Sequence, residues 1–396
     1  LTGKDIRRSR KERPEEHEGT SRGVREAELK IPQIDLLRQY KSMKDDIDGN
    51  VAEVFSSGAF VMGKWVREIE EKVADLTGAR HGIGVASGTD ALDLALMACE
   101  VGPGDEVITS PFSFVSVAEV AIRMGAKPVF VDIDPRTFNM IPEQVEAAIN
   151  GRTKALVPVH IYGQSVDMDP MMEAAAKRGI PVIEDAAQAI GAKYKNKPVG
   201  SIGHLACLSF YPTKNLGAYG DGGMVLTNDD ALGEKVAALR KHGQVEKYKY
   251  KYIGVNSRLD SIQAAILTAK ARKIEEWNER RRAVAARYRE KLAGLPVETP
   301  YEEDWAYHIY HQYTLKAPKR DQLQKFLGEK GVGTAIHYPL GLHLQEAYAP
   351  LGHKLGDFPN TDEAATKVIS MPMFPEITDE EVDYICAAIG EFYANA

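Results

Sequence analysis

His81-Gly82-Ile83-Gly84-Val85-Ala86-Ser87-Gly88-Thr89-Asp90-Ala91-Leu92 changes from one periodicity to another at its centre. Residues 81–86 form a short apolar run that reads as a strand. Residues 90–99 place Leu92, Leu96 and Cys99 on one stripe of a helix. Small polar residues make the turn between them. The same alternation continues downstream. Strands are predicted at 106–109, 128–133, 155–160, 181–184 and 205–210. Helices are predicted at 116–124, 142–149 and 170–177. Most of the strands are near-continuous hydrophobic runs, as a sheet covered on both faces requires. Strands alternating with helices imply right-handed crossovers and a mostly parallel sheet.

Upstream, Trp65, Ile69, Val73 and Leu76 share one helical face. Downstream, a long helical stretch runs from about 260 to 292, and a break follows at 294–300. Beyond it, 308–315 alternates like a strand, and helices are expected near 320–329, 361–369 and 378–393. The reading is α/β: a large mostly parallel-sheet domain over 31–296, including the long linking helix, and a smaller α+β domain over 297–396. Residues 1–30 hold nine Lys/Arg and seven Asp/Glu with few apolar groups, and read as a flexible charged extension.

Composition narrows the function. The chain of 396 residues is 44% hydrophobic and 27% charged, ordinary globular usage. No run approaches the ~18 apolar residues of a membrane helix, so no membrane association is expected. A net charge of −7 offers no global attraction for nucleic acid. The run Arg7-Arg8-Ser9-Arg10 is interleaved with acidic neighbours and does not change that. Cys99, Cys207 and Cys386 stand far apart, which suggests a reducing cytoplasm. No charged-then-apolar leader is read, in keeping with that location. The ten histidines show no metal-ligand spacing, so no metal is expected.

Open α/β sheets place ligands beyond the carboxyl ends of their strands. Several polar segments stand there. Ser87-Gly88-Thr89 could bring backbone N–H groups to an anion at a helix N-terminus, or could simply cap the helix. Asp185 follows an apolar strand, where a carboxylate can hold a ring N–H cation or cap a turn. Lys214 follows the strand that ends in Ser209-Phe210. A lysine in a partly desolvated pocket can form an imine with a carbonyl, although most lysines are surface charges. A phosphate cradle, a carboxylate for a pyridinium nitrogen and an imine-forming lysine are together what pyridoxal 5′-phosphate needs.

With these residues in view, the chain resembles the DegT/DnrJ/EryC1/StrS family of nucleotide-sugar aminotransferases, of aminotransferase fold type I. The resemblance rests on Ser87-Gly88-Thr89-Asp90-Ala91-Leu92, Gly102-Pro103-Gly104-Asp105-Glu106-Val107-Ile108, Glu184-Asp185-Ala186-Ala187-Gln188, Ser209-Phe210-Tyr211-Pro212-Thr213-Lys214, Gly220-Asp221-Gly222-Gly223 and Asn256-Ser257-Arg258-Leu259-Asp260. It implies that Lys214 bonds the cofactor and then moves the proton. Asp185 would pair with the ring nitrogen and Gln188 with the ring oxygen. Phe114 would stack on the ring; the plain alternative is a core phenylalanine. Gly88, Thr89 and Ser209 would bind the phosphate. Asn256 would reach the phosphate of a neighbouring subunit, which implies a homodimer with shared sites. Arg258, His337 and Tyr338 match positions near the sugar or donor carboxylate. His160 reads as structural support. His242-Gly243-Gln244 and the basic, aromatic run after it read as a mobile loop over the nucleotide side.

The resemblance also narrows the substrate. Related dehydratases carry histidine where Lys214 stands, so lysine favours amino transfer. Asp90, Asp221 and the His242-Gly243-Gln244 segment are similar to members acting on 3-keto sugars, in particular UDP-2-acetamido-3-oxo-glucuronate aminotransferases of polysaccharide biosynthesis. The expected substrates are a nucleotide-linked keto-sugar and L-glutamate. A 4-keto-sugar aminotransferase and a non-catalytic regulator or binding module of the same fold remain as alternatives. A nucleotide-dependent oxidoreductase lacks a glycine fingerprint.

Overall fold

The structure is a computed structural model that describes residues 30–395. The charged extension read at 1–30 lies almost wholly outside the described residues. The central sheet strands are β1 (His81–Val85), β2 (Glu106–Thr109), β3 (Lys127–Phe130), β4 (Thr153–Leu156), β5 (Ile183–Asp185), β6 (Leu205–Ser209) and β7 (Gly223–Thr227). They form two ladders, β3-β2-β4 and β5-β6-β7-β1. Parallel bridges at Leu156–Val182 and Val159–Asp185 join the two into one sheet. Pairing is parallel for β2 with β3, β2 with β4 and β5 with β6. β7 runs antiparallel between β6 and β1, an element the expected pattern omitted.

Apolar helices cover both faces. The Lys64–Thr77 helix buries Trp65, Ile69 and Val73, as its periodicity predicts. The Gly88–Ala98 helix is capped by Ser87, whose Oγ accepts the Asp90 N–H at 3.0 Å. Other expectations need correction. The stretch from 260 to 292 is two helices, Ser261–Ala271 and Ile274–Lys291. At the junction the Arg272 and Lys273 N–H groups turn to the carbonyls three residues back, which ends the first α-helical ladder. The strand expected at 308–315 is confined to Tyr313–Lys316. Residues 308–312 bury polar side chains in local bonds instead; the Tyr310 N–H, for example, donates to His308 Nδ1 at 2.9 Å. The helix expected at 361–369 is Pro359–Lys367, and Val368–Met371 is a strand antiparallel to Tyr313–Lys316.

A separate apolar core gathers Tyr313, Leu315, Ile369, Met371, Ile385 and Ile389 with Ile31 and the last turns of the long helix, Val284 and Tyr288. By contrast, Leu342, Tyr348 and Phe358 pack on Phe130 of β3. The C-terminal segment therefore reaches back over the large sheet and brings residues 337 and 338 to its edge.

Close backbone approach organises that edge. A Cβ on Gly223 would stand 2.3 Å from the Ser87 carbonyl oxygen. Gly223→Ala is expected to push the 87–89 turn away from β7 and to cost about 1–3 kcal/mol. Urea unfolding would show this as a lower midpoint at unchanged slope.

Candidate active site

Beyond the carboxyl ends of β5 and β6 lies a cavity of about 560 Å³. Most of the residues singled out from the sequence line it: Gly88, Thr89, Phe114, Asp185, Gln188, Ser209, Lys214, His337 and Tyr338. Parallel pairing explains the convergence, because β5 and β6 emerge on the same side and deliver Asp185 and the Lys214 loop together. The helix that begins at Gly88 points its N-terminus at this space. A Cβ on Gly88 would meet the Ser209 Cβ at 2.7 Å, so glycine is what lets the helix start lie against Ser209. The Thr89 hydroxyl is 2.9 Å from that of Ser116. Free N–H groups, two hydroxyls and a helix dipole suit an anion such as a phosphate.

Asp185 is 7% exposed and accepts the Ala187 N–H at 3.1 Å. Burial pushes its carboxyl upward, against the pull of that N–H and of the Lys214 charge. Lys214 borders the cavity but is otherwise enclosed. Burial pushes its amine down to about 8, with Asp185 opposing the shift. A cation beside Asp185 would offset the cost of its charge, so the carboxylate suits a ring N–H cation. Gln188 Oε1 accepts the Tyr162 N–H at 2.7 Å, which turns Nε2 toward the Tyr338 hydroxyl at 3.4 Å. His337 Nδ1 is 2.9 Å from Ser370 Oγ, and burial beside Lys214 pushes its ring down to about 4. Burial, then Asp185, pushes the Tyr338 phenol up. Phe114 is 58% exposed at the rim, unlike a core phenylalanine.

Strand alternation turns Glu184 to the other side of the sheet from Asp185. Its carboxylate accepts His160 Nε2 at 3.0 Å and the N–H groups of Gly200, Ile202 and Gly203. His160, fully buried, also accepts the Val166 N–H and so braces the loop behind the cavity. Asn256 and Arg258 do not line the cavity of their own chain; Asn256 is exposed and Arg258 half-buried. The segment after His242 forms an antiparallel hairpin, Gln244–Glu246 with Lys249–Tyr250. Ser116, His311 and Gln312 line the cavity and escaped the sequence reading. The His308–Gln312 cluster of polar residues was the available signal for two of them.

The Lys214 shift has a sign that can be measured. An amine whose folded pKa lies below its unfolded value costs stability wherever both states are charged, here below pH about 8. The cost fades as pH rises from there toward 10.5. Lys214→Met is therefore expected to stabilise the ligand-free chain by about 3 kcal/mol at pH 7. The difference should vanish at the alkaline end. Paired denaturant titrations across pH would read it.

The DegT/DnrJ/EryC1/StrS aminotransferase family matches residues 41–390. A protein of Geobacillus stearothermophilus named "Pleiotropic regulatory protein" is 51% identical over 93% of this chain and all of its own length. The UDP-2-acetamido-2-deoxy-3-oxo-D-glucuronate aminotransferase of Pseudomonas aeruginosa is 47% identical over 90% of this chain and 98% of its own. The crystal structure of ntda from Bacillus subtilis with bound cofactor PMP superposes with a TM-score of 0.86 at 30% identity, covering 94% of this chain and 86% of that one. With the sheet order, the cavity and these matches in agreement, the chain belongs to the DegT/DnrJ/EryC1/StrS aminotransferase family and has the type I aminotransferase fold.

Proposed function

We propose that the chain uses pyridoxal 5′-phosphate to transfer an amino group from L-glutamate to a nucleotide-linked keto-sugar. The substrate read here is a UDP-linked 3-keto sugar or uronic acid, aminated at C3 for glycan or polysaccharide biosynthesis. One observation carries the reading: Lys214, Asp185 and a helix N-terminus meet at a single cavity. When bound, the cofactor would supply an electron-withdrawing ring that makes a proton on the adjacent carbon labile. The chain supplies the rest. Gly88, Thr89 and Ser209 receive the phosphate, and Asp185 holds the ring nitrogen cationic. Gln188 orients the ring oxygen, and Phe114 covers a ring face against water. Lys214 Nζ, with its depressed pKa, is a base within reach of neutral pH that can take and return the proton.

Asp90, Asp221 and the His242-Gly243-Gln244 segment support a 3-keto substrate, as does the name of the Pseudomonas relative. Arg258 offers a planar fork for a carboxylate, of the uronate or of glutamate. His337 and Tyr338 close the substrate side. We assign Asn256 to the phosphate site of a neighbouring subunit in a homodimer. Its exposure away from its own cavity fits that role, as do the exposed Phe55, Phe60, Val61 and Ile253. Among the described residues, no helix is long and apolar enough to cross a membrane. Three free cysteines fit the cytoplasm as location. A second reading is a regulator of this fold without catalysis; the name of the Geobacillus relative supports the regulatory part alone.

The two readings part in one experiment. Borohydride should fix the cofactor on the peptide carrying Lys214, and Lys214→Ala should abolish fixation and lower turnover by several orders of magnitude. A panel of UDP- and dTDP-linked 3- and 4-keto sugars with L-glutamate should give a C3 amine from the UDP-3-keto members by NMR. No amine from any sugar would favour the regulator; a C4 amine would move the regiochemistry alone.

Subunit sharing has its own test. Lys214→Ala and Asn256→Ala chains mixed at random should regain about a quarter of wild-type activity, because one site of each mixed dimer carries neither defect. No recovery in demonstrated mixed dimers would return Asn256 to its own subunit.

A further inference from the structure

Behind Lys214 runs a buried chain of side chains whose hydrogen-bond directions are set by backbone carbonyls. Asn278, on the Ile274–Lys291 helix, donates from Nδ2 to the Ile190 carbonyl at 3.0 Å. A backbone carbonyl only accepts, so this bond fixes which end of the Asn278 amide is oxygen. That oxygen accepts Asn215 Nδ2 at 2.8 Å, and the same nitrogen has the Ile309 carbonyl as a longer second acceptor at 3.5 Å. Asn215 Oδ1 is thereby turned to His311 Nδ1, 3.1 Å away. An amide oxygen cannot donate, so Nδ1 carries the ring proton and Nε2 keeps the lone pair. Asn215, Asn278 and His311 are 4%, 3% and 3% exposed, so water does not compete for these bonds.

The anchor is built to be close. Gly191 has φ +87°, and a Cβ there would stand 2.5 Å from Asn278 Nδ2. One turn along the helix, Arg281 donates to the carbonyls of Tyr310, at 3.2 Å, His311, at 3.4 Å, and Met373, at 3.0 Å, and so ties the backbone of the His311 segment to that of Met373. The chain of bonds thus ties together three pieces of the site. Ile190 closes the segment that begins at Asp185, Asn215 directly follows Lys214, and His311 lines the cavity.

We propose that Asn278 and Asn215 form a directional relay that holds His311 as the neutral Nδ1–H imidazole, so that the wall holding Lys214 presents a proton acceptor rather than a second cation. Asn278 and Asn215 are then positioning residues for His311 and for the loop of Lys214. The assignment rests on Lys214 being the reactive amine. Burial holds the His311 ring neutral, and the Lys214 charge adds to that. A mobile or charged ring here would disturb the amine that has to gain and lose the proton.

The test reads the ring itself. Protein labelled with 15N-histidine, without cofactor and then loaded, is examined by long-range proton–nitrogen correlation NMR, with His311→Gln giving the assignment. The wild-type ring should show a pyrrole-type Nδ1 and a pyridine-type Nε2 from pH 6 to 8. Asn278→Leu removes the shorter of the two bonds that orient Asn215 and leaves the 3.5 Å bond to Ile309, so the ring should become a mixture of the Nδ1–H and Nε2–H forms. Its single-turnover rate with L-glutamate should fall about tenfold while the half-saturating concentration changes less than twofold. Asn278→Asp keeps an oxygen for Asn215 and should keep the Nδ1–H pattern and recover part of the rate. A wild-type ring that is Nε2–H or doubly protonated would overturn the relay, even if the leucine variant fails to fold. So would a folded Asn278→Leu protein with an unchanged ring. Cofactor fixed by borohydride on a lysine other than Lys214 would remove the reading of that residue and leave the tautomer result standing.

Discussion

A carboxylate at the end of β5 and an amine in the loop after β6 share one cavity, and burial drives each toward its neutral form. Their mutual attraction opposes that drive only in part. Such a pair costs stability, so the rest of the structure has to hold it in place. The parallel pairing of β5 with β6 fixes the strand ends relative to each other. On the far side of the sheet, Glu184 binds His160 and three backbone N–H groups, which locks β5 from behind. The long helix grips the Lys214 loop through Asn278 and the backbone at Met373 through Arg281. The strain of an uncompensated site is thus spread over well-satisfied neighbours, as preorganised sites require.

The parts of this arrangement that were legible in the sequence share a cause. Apolar strands such as 106–109 and amphipathic helices such as Lys64–Thr77 carry their own periodicity. Asp185 and Ser209 end strands, and Thr89 and Lys214 follow strand ends within a few residues, so strand prediction also placed them. What was not legible depends on partners distant in sequence. Residues 308–312 alternate like a strand, yet buried hydrogen bonds to residues of the long helix and to Asn215 win over the pattern. β7 follows a glycine-rich turn, and a short apolar run there has no period to mark it. Asn256 and Arg258 came from resemblance, and a single chain gives them no place in its own cavity.

Fold and chemistry part company at the same point. A fold of this type supports several activities, and relatives of similar identity carry names from regulation and from catalysis. Overall similarity assigns the aminotransferase family. The chemistry itself falls to a few atoms: an amine with a depressed pKa, a buried carboxylate and a helix N-terminus that glycine allows to approach Ser209. A binding module would gain nothing from carrying the cost of the first two.

Burial by itself does not nominate the reactive amine, and a second lysine shows why. Lys270 is fully buried, and desolvation pushes it down to about 7, further than Lys214. It nevertheless donates to the Gly217 carbonyl and lies near the rings of Tyr219 and Trp277, which satisfy its charge without opening to the cavity. Its bond to Gly217 steadies the same loop that carries Lys214, three residues earlier in the chain. Lys214 has the weaker shift but borders the space where a carbonyl carbon can arrive. A carboxylate faces each lysine, Glu376 for Lys270 and Asp185 for Lys214, so the difference between the structural and the reactive lysine is access, which the cavity beyond β5 and β6 gives to Lys214.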